Sequence, residues 1–397
     1  MKIVSILAAV LLPAAASAEP LAIVHATAWT MAAETPVEDA TVVIDDGKIV
    51  SVVPHGGAPA GARVIDAAGH PVTPGLVNAA TQLGLVEVSS AAGTRDEASE
   101  TRLVGTEFDV AQALNGNSAA VALARADGLT GALSYPSKSD IPPFAGLAAY
   151  IRLRPGSDVL DHARAAQVAV IGGGQWKDIG SRAAQWQLIE KPYAEAEGKR
   201  VEGHPPIVDA TIPLALFTNR ESDVRVAAAF ATRHHIRLII IGGAEAWRAA
   251  DVLAKADVAV VLDPEANMPV SFDALGNRLD AAALLAKAGV RIAFGLSGGA
   301  IEQTLNAGLA LRTGAGLAVA NGLPYYAALR ALTVTPRALW GGGPGTIAAG
   351  SPADLVVWDG DPLEPATNAV AVIIEGRQVS TDNRQRALVE RYRTARP

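Results

Sequence analysis

The side chains able to do chemistry in this chain are few. It has seven histidines and no cysteine. Thiolate metal sites, thiol nucleophiles and disulfides are therefore excluded, and any metal would have to be held by imidazole and carboxylate. His234-His235 is the adjacent histidine pair, placed where a helix gives way to an apolar run. Successive residues do not share a helical face, and a histidine at a helix C-terminus is stabilised by the macrodipole. The pair is read as structural. His162, expected in a helix, and His204, beside Pro205-Pro206, are read as lone surface histidines. Asp96, Glu97, Glu100, Glu107 and Asp109 form an acidic cluster. Carboxylates alone suit a hard cation, but the calcium-loop spacing D-x-D-x-D-G is absent, so a solvated loop is expected. Arg220-Glu221-Ser222-Asp223 opens a helix, with Ser222 or Asp223 as N-cap, and leaves Arg220 as the cation available to an anionic ligand. No G-x-S-x-G elbow or Ser-His-Asp constellation is visible.

Glycine pairs and triplets follow several apolar runs: Gly172-Gly173-Gly174, Gly242-Gly243 and Gly298-Gly299. Backbone N–H groups of Ser297-Gly298-Gly299, leading into a helix, could hold a phosphate or carboxylate. No P-loop lysine or G-x-G-x-x-G fingerprint accompanies them, so tight turns are the preferred reading.

The elements that would carry these residues come in three blocks. Short β-like runs open the chain at Leu21–Thr27, Thr41–Ile44, Lys48–Val53 and Arg63–Asp66, with Asp45-Asp46-Gly47 as a hairpin turn. From about 75 to 340, apolar runs alternate with Ala-rich amphipathic stretches. The runs are Leu76–Ala79, Thr130–Ser134, Ala148–Leu153, Val168–Ile171, Pro213–Phe217, Arg237–Ile241, Val258–Leu262 and Val290–Phe294. The stretches include Ala119–Ala126, Val224–Arg233, Ala246–Ala254 and Ala281–Ala288. About eight βα units over ~250 residues predict a closed α/β barrel with its ligand face at the strand C-termini. After Gly345 the pattern returns to strands, Asp354–Trp358 and Asn368–Glu375, which need the N-terminal strands to build a core. A barrel inserted in a split β-domain follows, with Asp382–Arg393 as a charged surface helix.

Residues 1–18 read as a secretory signal: Lys2, the apolar run Ile3–Leu12, and Ala16-Ser17-Ala18 for cleavage. The run is shorter than the ~20 residues a span requires, so no membrane segment is expected after cleavage. The net charge of −7 becomes −8 without Lys2, which argues against nucleic acid and anionic membranes as partners. Localisation is expected to be periplasmic or secreted.

The words at the seams resemble the amidohydrolase superfamily, in particular its imidazolonepropionase-like branch. They are Asp46-Gly47-Lys48-Ile49, Val72-Thr73-Pro74-Gly75-Leu76-Val77, Ala126-Asp127-Gly128-Leu129-Thr130, Ala328-Leu329-Arg330-Ala331-Leu332-Thr333 with Pro336, and Gly345-Thr346-Ile347 followed by Gly350-Ser351-Pro352-Ala353-Asp354-Leu355. The resemblance implies a TIM-like (β/α)8 barrel at 74–342, a composite β-sandwich from 19–73 and 343–381, and a surface helix or tail at 382–397. It also implies one or two divalent metals such as zinc and hydrolysis of C–N bonds.

The departures from that pattern carry the functional expectation. Ala80 and Gln82 stand where the resemblance implies two metal-binding histidines on barrel strand one. Phe217 stands at the strand-five ligand, Gly242 or Gly243 at that of strand six, and Ser297 at the catalytic aspartate of strand eight. Gln167 to Ile171, on strand four, holds no bridging lysine. Removing ligands, bridge and base together avoids stranding an unpaired charge in a low-dielectric pocket. The expectation is a catalytically degenerate member without metal or cofactor. It would bind a small molecule at the barrel mouth, with Arg220, Gly298 and Gly299 as possible contacts. It would otherwise dock on a second copy or on an active relative. The alternative is an active hydrolase of dipeptide or other C–N bonds, using a non-standard metal site or none.

Overall fold

The computed structural model describes residues 19–101, 104–137, 143–172, 179–196, 212–295 and 304–393. The leader 1–18, His204 and the Ser297-Gly298-Gly299 turn lie outside the described residues.

The strands are β1 (Leu21–Ala28), β2 (Val37–Asp45), β3 (Lys48–Pro54), β4 (Arg63–Asp66), β5 (Pro71–Pro74), β6 (Leu76–Thr81), β7 (Leu129–Ser134) and β8 (Phe144–Arg152). They continue as β9 (Leu160–Val170), β10 (Leu214–Thr218), β11 (Leu238–Gly242), β12 (Ala259–Leu262), β13 (Ile292–Phe294), β14 (Leu355–Trp358), β15 (Ala369–Ile374) and β16 (Arg377–Val379). The helices are α1 (Ala119–Ala126), α2 (Arg182–Ala196), α3 (Glu221–His234), α4 (Ala250–Lys255), α5 (Ala281–Lys287), α6 (Leu309–Ala320), α7 (Tyr325–Leu332), α8 (Val334–Trp340) and α9 (Arg384–Arg393).

The β runs at the two ends of the chain are too short to bury a core separately, and they share one sheet. Its order is β16-β15-β14-β5-β1-β2-β3, with β4 paired to β1 as a branch. Alternate residues Leu21, Ile23, Val42, Ile44, Val72, Leu355, Val357 and Ile373 bury one common core. The β2–β3 turn has Asp46 and Gly47 both at positive φ, as a two-residue hairpin of this hand demands.

Strands β6 to β13 form the second sheet, in sequence order, and β13 comes back beside β6 to make a nearly closed barrel. Its inner face is lined by small and apolar side chains, including Val77, Ala79, Ala80, Leu133, Ala148, Val168, Ala215, Ala259, Val261 and Ala293. Its outer face packs on the helices through Leu76, Leu129, Leu214, Leu216, Leu238 and Ile240. The parallel β–α repeat breaks in one place. β8 runs antiparallel to both β7 and β9, and α1 and α2 lie before and after this trio rather than within it. The outer side of β8 is covered instead by the excursion after β6. Leu85, Val86 and Val110 pack there with Ala149, and Leu147 N–H donates to the Phe108 carbonyl at 2.7 Å.

β9 also starts earlier than the apolar run Val168–Ile171 implied, and His162 lies in it rather than in a helix. Nor is His162 a free surface residue. Its ring is about two-thirds covered, bonds the Trp340 carbonyl at 2.7 Å and stacks on Tyr150. α3 ends at His234, with His235 in the left-handed conformation as its C-cap. The His234 side chain is buried and meets Glu190 at 2.7 Å, so this pair serves the helix junction.

The seam between the two parts is a buried ionic layer under the barrel. Arg337 donates to Asp354 at 3.1 Å, to Thr130 Oγ1 at 2.8 Å and to the Gly75 and Gly342 carbonyls. Arg152 meets Asp354 at 2.5 Å and Asp161 at 3.0 Å. Arg154 joins Asp161 to Glu375. Trp358 locks the same seam from the side. Its ring is fully buried, its indole N–H donates to Thr73 at 2.9 Å, and a Cβ at Gly128 would come within 2.3 Å of it. Only glycine fits there.

Candidate functional site: the C-terminal mouth of the barrel

Strands β6, β7 and β9 to β13 point their C-terminal ends at one face, where parallel barrels of this kind place their chemistry. The register of β6 is irregular between Asn78 and Thr81, with the Asn78 carboxamide accepting from Ala80 N–H at 3.2 Å. This irregularity brings both Ala79 and Ala80 into the inner apolar cluster. Ala80 is fully buried, and β13 closes on it: a Cβ at Gly295 would lie 2.6 Å from Ala80 N and 3.0 Å from Ala80 Cβ. Position 295 therefore needs glycine to let the chain pass this close to Ala80.

Phe217, at the end of β10, reaches across to the chain just past β7. Its ring lies 4.9 Å from that of Tyr135, tilted by 45°. Tyr135 is buried and tied back to β6 by its N–H, which donates to the Thr81 carbonyl. Burial first, and the nearby Glu97 charge second, push its phenol well above the ordinary tyrosine range. The aromatic pair and Ala80 belong to one cluster, so two of the five positions singled out above converge. Gln82 is buried in the turn after β6, where its carbonyl accepts from Leu85 and Val86 N–H.

Gly242 sits apart from that cluster. Its φ is +95°, and a Cβ would approach Asn219 Oδ1 to 2.8 Å, so its backbone and its neighbour both call for glycine. It lines a cleft of about 150 Å³ with Asn219, Gly243, Asp263, Asn277 and Arg278.

Arg220 does not stand ready for an anion. It pairs with Asp273 at 2.8 Å, and Arg182 bridges Asp273 to Asp223 at 2.5 and 2.8 Å. α3 is capped by Arg220 rather than by Ser222 or Asp223. Asp223 lies in the first turn, buried and bonded also to the Trp186 indole at 3.3 Å.

The acidic loop also departs from expectation at one residue. Asp96, Glu100 and Glu107 are exposed and Asp109 caps a 3-10 turn, but the Glu97 side chain is only 1% exposed. Its Oε1 takes Arg95 Nε at 3.0 Å and Nη2 at 2.5 Å, and its backbone carbonyl takes Ser137 N–H beside Tyr135. The sequence presents Glu97 as a solvated acid and does not single out Tyr135, because the burial of both depends on a loop folding back over β7. The i,i+2 pairing of Arg95 with Glu97 is the one local hint.

Among the described residues, no three histidine, aspartate or glutamate side chains gather closely enough to grip a metal. Alanine and phenylalanine supply no donor atom, and glycine offers none from a side chain, so the residues at these positions do not fit the divalent metals that the resemblance implies.

Residues 220–381 match the model of the Amidohydrolase family. An amidohydrolase from Thermotoga maritima MSB8 superposes with a TM-score of 0.78 at 22% identity, covering 91% of this chain and 99% of that one. The chain has the fold of that amidohydrolase, and its residues 220–381 are similar in sequence to the Amidohydrolase family. A prolidase complexed with N-methylphosphonate-L-proline has a TM-score of 0.57 at 17% identity over 91% of this homologue and 99% of its own chain. A Xaa-Pro dipeptidase with bound methionine in its active site scores 0.55 at 15% identity, covering 91% of this chain and all of its own. These likenesses speak for the shared fold. The amidohydrolase tasK of Hapsidospora irregularis is 49% identical over 57 residues, which is 14% of this homologue and only 6% of the tasK chain.

Proposed function

We propose that this homologue is an exported, catalytically degenerate amidohydrolase that works without a metal, as a binding protein for a small molecule or a partner subunit. One observation carries the reading: among the described residues, the end of the barrel that would hold the metal gathers Ala80, Tyr135 and Phe217 in one apolar cluster and no group of metal-ligating side chains. β13 closes on Ala80 at Gly295, and Tyr135 and Phe217 meet across the opening. Metal-bound water in this type of chemistry ionises near pH 7 rather than at 15.7. Among the described residues at this end, Ala80 and Phe217 offer no donor atom to hold such a cation.

Ligand capture then falls to the rim of this face, either the cleft beside Gly242 or the partly exposed edge of Phe217. Export rests on the leader-like residues 1–18, and an active relative or a second copy is the partner class that the family resemblance suggests. The rival reading is hydrolysis of dipeptides, the activity named for two of the structural neighbours.

Elemental analysis of protein purified without added metal separates the two, run beside a screen of dipeptides and cyclic amides with and without chelator. Less than a tenth of an equivalent of divalent metal, with no turnover, is the expected result. Stoichiometric zinc with chelator-sensitive turnover would overturn it.

A further inference from the structure

We infer that Glu97 anchors the ligand of this barrel mouth and selects a small organic cation, a primary amine carried on an apolar or aromatic body. The inference rests on the metal-free reading above and names what the same face binds in place of a metal.

Among the described residues, Glu97 Oε2 is the one carboxylate oxygen that is buried with no hydrogen-bond partner. Its sister Oε1 takes both Arg95 contacts, and among the described residues no donor serves Oε2. A desolvated acceptor left unmade is costly, and more so when charged, so native proteins retain one where something else supplies the donor. The charge on Arg95 does not cancel the field at Oε2, because the Arg95 side chain is about half exposed and screened by water, whereas Glu97 is 1% exposed.

The surroundings fit an ammonium better than a neutral donor. Glu97 is fastened through its carbonyl to Ser137, two residues beyond Tyr135, and the Tyr135 ring touches Phe217. Phe217 remains partly exposed at the edge of this cluster, so the aromatic pair is reachable from solvent at that edge. A carboxylate close enough to act on the Tyr135 phenol, with Phe217 against the same ring, is a combination that recognises amines, through a charge-assisted hydrogen bond on one side and cation–π attraction on the other.

Benzylamine and benzyl alcohol have the same shape and differ in charge, so titration calorimetry with both on the full-length protein tests the inference. The expected result is that benzylamine binds at least about tenfold more tightly than benzyl alcohol, and that Glu97→Gln abolishes the difference. Arg95→Gln provides a readout of opposite sign: with its counter-charge gone, Glu97 should hold benzylamine several-fold more tightly. Thermal denaturation of each variant confirms that it is folded. Equal binding of the two probes, no binding of benzylamine at millimolar concentration, or unchanged benzylamine affinity in folded Glu97→Gln would each overturn the assignment. Native metal content keeps the two readings separable. Metal-free protein that ignores benzylamine removes Glu97 as the anchor and leaves the degenerate reading standing, whereas stoichiometric metal removes that reading whatever the amine does.

Discussion

The two ends of this barrel handle charge in opposite ways. Beneath it, three arginines and three carboxylates are knitted into a half-buried to fully buried layer: Arg152, Arg154 and Arg337 with Asp161, Asp354 and Glu375. At the mouth, the corresponding depth is held by Ala80, Tyr135, Phe217 and Gly295. A buried charge persists where partners of opposite sign come from several segments at once, and its removal singly is penalised. The floor meets that condition, because Asp354 belongs to the β-domain while Arg152 and Arg337 belong to the barrel. At the mouth, the described residues Ala80, Tyr135 and Phe217 bring no charge of either sign to the cluster they form. Apolar packing is the stable alternative. Charge is buried and paired at one end of the barrel, and apolar side chains are packed at the other.

Breaking the floor should produce the largest effect. Asp354→Ala leaves the Arg337 and Arg152 guanidiniums facing each other in a buried layer and also frees the Glu375 N–H that its Oδ1 accepts. A loss of about 3–5 kcal/mol is expected in urea denaturation. A loss below about 1 kcal/mol would mean that water already screens the layer.

Attempting to rebuild the mouth sharpens the contrast from the other side. The double change Ala80→His with Phe217→His introduces two imidazoles, one of them at a fully buried alanine that Gly295 approaches closely. Overpacking of about 1–3 kcal/mol is expected, with no zinc retained on dialysis. Tight zinc binding by the double variant would show that the mouth still holds a latent metal cage.

The pH response should come from the floor. The hydrogen bond from His162, opposed by burial and assisted by Arg152, holds the Asp161 carboxyl well below the ordinary aspartate value of 3.8. Its contribution is therefore present above that value and is lost as pH falls through the depressed one. His162 is raised above 6.5, chiefly by the same hydrogen bond. Its contribution is full below 6.5 and is lost as pH rises through the raised value. Urea midpoints should thus decline on both flanks, and Asp161→Asn should flatten both. A variant with the wild-type profile would assign the pH dependence elsewhere.

The smallest effect is expected at the rim. Arg220→Ala removes the more exposed member of a pair whose acid, Asp273, keeps Arg182. A change of about 0–1 kcal/mol is anticipated in the same denaturation assay. A larger loss would promote Arg220 from a rim residue to a keystone of the α3 start.

Much of this architecture is written in local pattern. Apolar runs alternating with Ala-rich stretches announce a barrel, because strand and helix periodicities are set by backbone geometry that each segment carries alone. The seam words around Pro74-Gly75 and Ala353-Asp354-Leu355 mark where the chain leaves and rejoins the β-domain, and the missing histidines at Ala80 and Phe217 are legible one residue at a time. Tertiary structure alone decided the rest. The reversed β8, the placement of His162 in a strand, the pairing of Arg220 with Asp273, and the burial of Glu97 each depend on which distant segment covers a residue. A segment's own composition does not encode what lies on top of it, and for a charged side chain that covering determines whether it is solvated, paired or left waiting for a donor.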